Sequence, residues 1–367
     1  MPKVTLHARE LILKLKTPFG ISRGTTSTAN NVLVTVSFSD YVGYGEAAPS
    51  AFYGESQSSV IEFINSFVKN RRLEDYLTNL KLLREDLNSF DLSSNRAFKS
   101  NLFSASARLA IELAFWDLYG KIKKKPVYEC LMNINPFINS VIPYTSFTVP
   151  IDRLNVMQDN ALFALKNKFK ILKIKLGLGY TEDLKILDAI KQVCSDYEYS
   201  IRVDANCGWD LSTAQKMLEI LPDYHVELIE QPLPRGNLDK IKILFDTSPI
   251  PIILDEDCIN ISDIELIATK AHGVNIKLNK VGSLFNALEM IKLAKDYNLK
   301  IMLGCMIESS CSISAAVSLS PLVDYVDLDG HLLITNDPFE GLIIENGKIL
   351  PSFDDGLGIT FKELQIA

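Results

Sequence analysis

The sequence lacks the features of several large classes of protein. Its 367 residues carry a formal net charge of -7 and the pI is near 5.3, so no excess of positive charge favours binding to nucleic acid or to an anionic membrane. No apolar run approaches the roughly 20 residues of a membrane span, and the first residues lack the uninterrupted apolar core of a signal peptide. We therefore expect a cytoplasmic protein without nucleic-acid or membrane partners, and the sequence leaves homo-oligomerisation open.

Cysteine and histidine are too sparse and too scattered for the common structural motifs. The six cysteines form no C-x-x-C pair, which favours reduced thiols in a cytoplasmic protein. The four histidines are isolated and make no zinc-binding motif. We interpret them as structural or surface residues.

The patterns that are present divide the chain into three parts. Residues 1–125 are predicted to form an α+β capping domain, with strands in "LILKLKT" and "NVLVTVSF", a helical pattern from about residue 56 to 120, and a turn at "GYGE". Residues 126–330 alternate short β-rich runs with amphipathic helices. Residues 331–367 return to strands and turns and are expected to rejoin the capping domain.

The middle part contains eight predicted strands, most of them roughly 20 to 30 residues apart: "VIPYTSFTV", "ILKIKLG", "SIRVDAN", "VELIEQP", "PIILDED", "GVNIKLN", "KIMLGCM" and "YVDLDG". Each strand but the last is followed by a helical stretch. This alternation is typical of an α/β fold with a TIM-type barrel, whose catalytic groups lie at the C-terminal ends of the strands.

Two lysines share one face of an otherwise aliphatic strand, "ILKIKLG". Side chains alternate with period two along a strand, so Lys173 and Lys175 point the same way. A half-exposed strand whose polar face meets water is one interpretation. The alternative is a buried site, because charged residues also stand near the ends of five other predicted strands: Asp204 on the third, Glu230 on the fourth, Asp255 on the fifth, Lys277 on the sixth, and Asp327 with Asp329 on the eighth. A barrel gathers such ends at one mouth, which favours the buried site.

Three of these residues have the chemistry of a metal site. Asp204, Glu230 and Asp255 come from neighbouring strands and offer only oxygen ligands. That set suits a hard octahedral cation, so we expect one Mg²⁺ per subunit, with Mn²⁺ as the alternative. Asn206 lies on the same face as Asp204 and is a candidate to orient one of the metal ligands without binding the metal itself.

The lysines flank the three acids in strand order. A substrate bound at the metal would therefore meet an ammonium group on each of its faces, from Lys175 on one side and Lys277 on the other. Two adjacent ammonium groups repel each other, which favours the neutral form of one of them. We therefore expect Lys173 to stay charged and Lys175 to serve as the base. This arrangement suits removal of a proton α to a carboxylate. A Schiff-base aldolase and a binding protein descended from an enzyme are alternative interpretations.

The motifs "KIKLG", "VDAN", "IEQP", "LDED" and "NIKLNKVGS" together resemble the enolase superfamily, in its muconate-lactonising subgroup. The resemblance implies a capping domain on a modified (β/α)₇β barrel, Mg²⁺ on the three acids, and Lys175 and Lys277 as the acid/base pair. Lys280 follows its strand, and we interpret it as structural. Subgroup membership alone leaves open a cycloisomerase, an o-succinylbenzoate synthase and an N-acylamino acid racemase.

The eighth strand narrows the choice. Its "VDLDG" resembles the dipeptide epimerases of the subgroup (L-Ala-D/L-Xaa epimerase-like), which implies that Asp327 and Asp329 bind the α-ammonium of a dipeptide. Two carboxylates suit a cation better than an acyl or muconate group. The implied activity is an isomerase reaction, epimerisation at the Cα of the C-terminal residue through an enolate.

The same resemblance extends to the walls of the substrate site. It implies that Thr148 and the backbone from Cys305 to Ile307 line the substrate, and that Glu308 supports the lysine side. Two lid segments, "TPFGISRGTTST" and "APSAFYGES", should close over the substrate side chains. Relatives that use an acidic second residue carry an arginine in the first lid, where Gly24 stands here and Arg23 is one residue away. We therefore expect small or aliphatic dipeptides such as Ala-Ala or Ala-Val.

Overall fold

The computed structural model describes residues 3–69, 71–90, 104–132 and 141–362. Across those ranges, no helix is both long enough and apolar enough to cross a lipid bilayer. The predicted domain boundaries at residues 125 and 330 stay predictions.

The capping domain is built on a three-stranded antiparallel sheet, β1 (Thr5–Ile21), β2 (Gly24–Phe38) and β3 (Tyr41–Ala47). β1 and β2 form a long hairpin whose register shifts between Lys14 and Phe19, the segment that contains Pro18. Proline has no amide hydrogen for the ladder, so it is expected at such an irregularity. The first predicted lid is therefore the far end of a β-hairpin rather than an irregular loop.

The segment "GYGE" lies inside β3, so its prediction as a turn was wrong. Its glycines serve packing against helix α3 (Ala105–Lys123): a Cβ on Gly45 would lie 2.0 Å from the backbone oxygen of Ala110. Close approach of two backbones requires a residue without a side chain. Further helices among the described residues are α1 (Gln57–Val68), α2 (Leu80–Ser89) and α4 (Val127–Met132), the last directly after the predicted boundary of the cap.

The barrel sheet has eight parallel strands in sequential order: β4 (Phe147–Val149), β5 (Ile171–Lys175), β6 (Ser200–Asp204), β7 (Val226–Glu230), β8 (Ile252–Leu254), β9 (Gly273–Lys277), β10 (Lys300–Gly304) and β11 (Tyr325–Asp327). A parallel bridge between Thr145 and Val326 joins the two ends of the sheet. The predicted modified TIM barrel with an α+β cap is confirmed.

Helices follow each of the first seven barrel strands, as the (β/α)₇β pattern requires: α5 (Leu154–Lys166), α6 (Tyr180–Cys194), α7 (Leu211–Ile220), α8 (Leu238–Phe245), α9 (Ile261–Ile267), α10 (Leu278–Val281) with α11 (Leu284–Asp296), and α12 (Ser310–Val317). After β11 the chain makes a single turn of 3₁₀ helix, Gly330–Leu333.

The final segment packs back on the cap. Its short strands are β12 (Phe339–Glu340), β13 (Ile343–Glu345), β14 (Lys348–Leu350) and β15 (Thr360–Phe361), paired β12 with β15 and β13 with β14. The Tyr44 ring of β3 packs against Phe339 and Phe361, with ring centroids 5.3 and 5.5 Å away.

Apolar side chains close the barrel interior beneath the charged residues. Leu228, Ile253 and Met302 are completely buried and form a hydrophobic cluster of their own. Leu228 and Ile253 each precede a predicted metal ligand by two residues, so they share its inward face one layer lower. These three apolar side chains therefore form part of the layer beneath the charged groups.

Candidate active site

A cavity of about 830 Å³ lies between the cap and the C-terminal ends of the barrel strands. Such a volume is ordinary for a small-molecule site. The cap contributes Phe19, Ile21 and Arg23 from the hairpin to its wall, and the barrel contributes Lys173, Lys175, Lys277, Thr148, Asn206, Asp327 and Asp329. The sequence therefore anticipated much of the barrel side of one cavity.

Lys173 stands at the centre of a cluster of carboxylates. Its Nζ lies 2.6 Å from Asp327 Oδ2, 2.6 Å from Glu230 Oε2 and 3.2 Å from Asp204 Oδ2. Burial alone would lower the pKa of Lys173, but Asp327, Glu230 and Asp204 together hold it well above its ordinary value. The three carboxylates therefore favour the charged form of Lys173, and its role in the reaction stays a prediction.

Lys175 and Lys277 reach the cavity from opposite sides of the acids. Lys175 on β5 places its Nζ 2.6 Å from Asp204 Oδ2, and Lys277 on β9 places its Nζ 2.9 Å from Asp255 Oδ2. Burial would lower the pKa of Lys277, whereas Asp255 and Glu230 raise it above the ordinary value. Each lysine is held by a different carboxylate, so the two ammonium groups do not compete for one position.

The three predicted metal ligands end adjacent strands, and each has further polar support. Asp204 and Glu230 are register partners on β6 and β7. Asp204 Oδ1 accepts from the backbone N of Asn206 at 2.9 Å, and Glu230 Oε1 accepts from Asn275 Nδ2 at 2.8 Å. Lys280 Nζ pairs with Asp255 Oδ1 and donates to the Asp255 backbone oxygen at 2.6 Å. Lys280 is thus buried against Asp255, and its structural role stays a prediction.

Electrostatics separates the three acids. Burial would raise the pKa of Asp204, but Lys175 and Lys173 depress it below its ordinary range. Lys277 and Lys280 likewise outweigh burial and depress the pKa of Asp255. Glu230 differs, because burial and the charge of Asp204 raise its pKa to about 7 despite the nearby Lys173.

The donor set of this acid cluster fits a hard cation. Within the described ranges, no three acidic, histidine or cysteine side chains stand together as a formed metal site. Instead, ammonium groups compensate the buried carboxylates. Glu230 Oε2 lies close to Lys173 Nζ yet makes no hydrogen bond with good geometry in the described part of the chain. Three buried carboxylates with oxygen alone as donor suit a divalent cation such as Mg²⁺.

The D-x-D pair, Asp327 at the end of β11 and Asp329 two residues beyond it, faces the same cavity from the far side. Asp327 Oδ1 accepts from Ser146 Oγ at 2.5 Å, and its Oδ2 pairs with Lys173. Asp329 Oδ2 accepts from the backbone N of Thr148 at 2.5 Å. Burial and the neighbouring Asp327 raise the pKa of Asp329 to about 6. A cationic group would relieve this crowding of negative charge.

The backbone after β10 forms another wall. Cys305, Met306 and Ile307 line the cavity, and Glu308 Oε1 accepts from the Met306 backbone N at 2.8 Å and from Asn279 Nδ2 at 2.9 Å. Burial raises the pKa of Glu308 and the hydrogen bonds from Met306 and Asn279 oppose that rise, while its predicted support of the lysine side stays a prediction.

The lid hairpin is attached to the barrel next to the acid cluster, at Asn206. Ser22 Oγ and Arg23 Nη1 both donate to the backbone oxygen of Asn206, at 2.9 and 2.6 Å. Arg23 Nη1 also lies 2.8 Å from Glu256 Oε1, and its guanidinium stacks on the Phe52 ring of the second lid. The Asn206 side chain accepts no hydrogen bond from the described residues, so its predicted role behind the metal stays a prediction.

Sequence reasoning missed several supporting residues. Asn275 lies two residues before Lys277 on the same strand, so the period-two pattern that identified the lysine would also have placed Asn275 on the inward face. Ser146 and Glu256 carried no comparable signal. Their partners, Asp327 and Arg23, are 181 and 233 residues away along the chain, and only the folded barrel brings them together.

This fold and this arrangement of lysines and acids define an enzyme of the barrel class with its active site at the C-terminal strand ends. Residues 3–132 match the family model for the mandelate racemase / muconate lactonizing enzyme N-terminal domain, and residues 156–365 match the enolase C-terminal domain-like model. The chain therefore belongs to the mandelate racemase / muconate lactonizing enzyme family of the enolase superfamily.

The curated relatives agree with this assignment. The L-Ala-D/L-Glu epimerase of Bacteroides thetaiotaomicron is 34% identical over 97% of this chain and 87% of its own length. The hydrophobic dipeptide epimerase of Flavobacteria bacterium is 32% identical over 98% of this chain and 99% of its own. The class expected from the sequence, an isomerase, is confirmed.

Solved structures show the same likeness. The dipeptide epimerase of Enterococcus faecalis complexed with Mg and L-Leu-L-Tyr superposes with a TM-score of 0.86 at 29% identity, covering 98% of this chain and 99% of that one. The dipeptide epimerase of Cytophaga hutchinsonii complexed with Mg and D-Ala-L-Val gives a TM-score of 0.87 at 26% identity, covering 100% and 97%. The sequence-based resemblance to dipeptide epimerases is confirmed.

Proposed function

We propose that this protein is a metal-dependent dipeptide epimerase that moves a proton from one face to the other at the Cα of a dipeptide's C-terminal residue. The observation that carries the proposal is the placement of Lys175 and Lys277 on opposite flanks of the acid cluster in one cavity. Inversion at a carbon needs one group to remove the proton and another, on the opposite face, to return it.

The lysines and the acids have separate tasks in this proposal. Lys175 takes the proton from one face while Lys277 gives a proton to the other, and the roles reverse in the opposite direction. Asp204 and Asp255 keep the two amines apart, because Lys175 Nζ lies 2.6 Å from Asp204 Oδ2 and Lys277 Nζ lies 2.9 Å from Asp255 Oδ2. Lys173 stays charged and stabilises negative charge that develops on the substrate carboxylate.

Asp204, Glu230 and Asp255 are the residues that would hold the cation. Mg²⁺ fits the donor set best, with Mn²⁺ as the alternative, and the relatives complexed with Mg support it. When bound, the cation would supply positive charge against the substrate carboxylate, in the manner of a Lewis acid.

Asp327 and Asp329 are the proposed receptor for the substrate's α-ammonium. Both are buried at the cavity wall, and Asp329 accepts a hydrogen bond from the Thr148 amide. Two carboxylates side by side recognise a cation far better than the acyl group of an N-acylamino acid.

For the C-terminal side chain we propose a small or aliphatic group, as in Ala-Ala or Ala-Val. Arg23 is a cation in the cavity wall near the acid cluster, but its guanidinium already pairs with Glu256 and with the Asn206 oxygen. An acidic side chain would have to compete with the buried Glu256 for that charge. Phe19, Ile21 and Phe52 make this part of the wall largely apolar.

Deuterium exchange tests the reaction. With Mg²⁺ in D₂O, the protein should catalyse the incorporation of deuterium into the substrate, at the Cα of the second residue of L-Ala-L-Ala or L-Ala-L-Val. Both epimers of that residue should accumulate. A screen across dipeptides in which no member exchanges at that carbon would refute the proposal.

Single-lysine variants test the two-sided assignment. Lys175→Met and Lys277→Met should each abolish epimerisation, yet each should retain exchange into one epimer only, and the retained epimers should be opposite. Lys185→Met, which removes an exposed lysine on α6, is the matched control. If one variant lost exchange into both epimers while the other variant kept exchange into both, the two-base mechanism would be contradicted.

A further inference from the structure

One wall of the cavity is carried by the barrel but also makes a hydrogen bond to the capping domain. Asn31 on β2 is 2% exposed, and its Nδ2 donates to the backbone oxygen of Ile307 at 2.9 Å. Both residues line the cavity. The contact crosses 276 positions of sequence, so it exists only when the cap is seated on the barrel.

A buried carboxylate fixes the orientation of the Asn31 amide. Nδ2 also donates to Glu46 Oε1 at 2.7 Å, and a carboxylate oxygen accepts but does not donate. The amide nitrogen must therefore face Glu46 and Ile307, and both of its hydrogens are used. Gln57 Nε2 holds the Asn31 backbone oxygen at 2.7 Å, which ties the strand itself to helix α1.

Glu46 is anchored in turn on the barrel. It accepts from the Ser309 backbone N at 3.0 Å and from Ser309 Oγ at 2.5 Å. Ser309 begins helix α12 directly after the cavity wall, and its side chain accepts from the Cys311 amide. Glu46 is fully buried, so these partners must remain in place for its polar atoms to be satisfied.

We propose that Asn31 is a positioning residue for the substrate: through its bond to the Ile307 oxygen, and oriented by Glu46, it sets the place of the cavity-lining backbone from Cys305 to Ile307. This inference rests on the proposed function for its kinetic consequence. The geometric part, an ordered wall held from the cap, stands without it.

The expected effect is on substrate binding more than on proton transfer. The wall does not carry either catalytic lysine, so a displaced wall should raise KM while kcat changes little. Losing one neutral hydrogen bond at this junction corresponds to a change of about tenfold in kcat/KM.

Swapping the amide of Asn31 and the carboxylate of Glu46 between the two positions distinguishes this positioning role from a merely structural one. Asn31→Asp alone puts two carboxylates together, and Glu46→Gln alone puts an amide hydrogen against another donor, so both single variants should lose stability. The double variant Asn31→Asp with Glu46→Gln restores the bond between the two side chains with donor and acceptor reversed. Aspartate cannot donate to the Ile307 oxygen, however, so that one contact stays lost.

The double variant should therefore regain most of the wild-type Tm and still show a kcat/KM about tenfold lower, mostly through KM. Arg84→Met is the control, because it removes a different contact between cap and barrel, the pair of Arg84 with Glu289, outside the cavity lining. It should lower Tm and leave KM as in the wild type. A double variant with wild-type KM, or an Arg84→Met variant with the same rise in KM, would overturn the proposal.

Backbone hydrogen exchange gives a readout that does not depend on the reaction. Peptides covering residues 305–308 should exchange faster in the double variant and in Asn31→Ala than in the wild type, while barrel peptides from β5 to β9 should not change. If the wild type turns over no dipeptide, the proposed function fails, but this exchange difference is still expected. Unchanged exchange in residues 305–308 in both variants would refute the positioning role itself.

Discussion

Replacing Glu112 by glutamine should remove a pH-dependent loss of stability that burial imposes on this protein. Glu112 lies inside helix α3 and is fully buried, and its Oε1 accepts from the Leu284 amide at 2.9 Å and from Trp116 Nε1 at 3.3 Å. Its Oε2 accepts no hydrogen bond from the described residues. Burial raises the pKa of Glu112 from 4.5 to about 7.

The sign and size of the effect follow from proton linkage. Between pH 4.5 and 7 the unfolded chain has released this proton while the folded chain retains it, so the free energy of unfolding falls as pH rises. A shift of about 2.5 pKa units corresponds to about 3 kcal/mol, which is fully lost above pH 7 and fully restored below pH 4.5. The Glu112→Gln variant has no proton to lose in this window.

Urea unfolding at a series of pH values between 4 and 8 measures the effect. Relative to wild type, the unfolding free energy of Glu112→Gln should increase by about 3 kcal/mol between pH 4.5 and pH values above 7. Glu219→Gln, at an exposed site on α7, corrects for the loss of one negative charge. Parallel curves for wild type and Glu112→Gln would refute the reasoning.

Further outcomes are expected elsewhere. Gly45→Ala should cost about 1–3 kcal/mol in urea unfolding, because the new Cβ would meet the Ala110 oxygen at 2.0 Å. Leu228→Ala should cost about 2–5 kcal/mol by opening a cavity in the barrel floor. EDTA should abolish epimerisation and Mg²⁺ restore it, and calorimetry should detect no Mg²⁺ binding to Asp255→Asn. Asp329→Asn should raise KM for dipeptides at least tenfold, whereas activity indifferent to this change would favour a substrate without an ammonium group.

The barrel and its charged mouth could be predicted from the sequence because both depend on local periodicity. Strands of period two separated by helices specify a parallel barrel, and a parallel barrel brings strand ends together wherever they lie in the chain. Lys175, Asp204, Glu230 and Lys277 each end such a strand, so their meeting at one barrel mouth followed without any long-range information.

Packing between elements decided what the local pattern left ambiguous. "GYGE" reads as a turn because glycine is the usual turn residue, but β3 needs the glycines to approach α3 closely. The first lid reads as a loop, yet it is the end of a hairpin whose tip bonds to the Asn206 oxygen. In both cases the deciding contact lies with a residue far away in the chain.

The sequence by itself determined which chemical groups meet at the barrel mouth, since strand order and side-chain parity are local properties. Only the tertiary structure decided how each group is held. The pairing of Lys173 with Asp327 across 154 positions and the link from Asn31 to Ile307 across 276 depend on hydrogen-bond distances that no periodicity encodes. Their physical origin is the cost of burying a charge or an amide without a partner, which favours such contacts once the cap closes on the barrel.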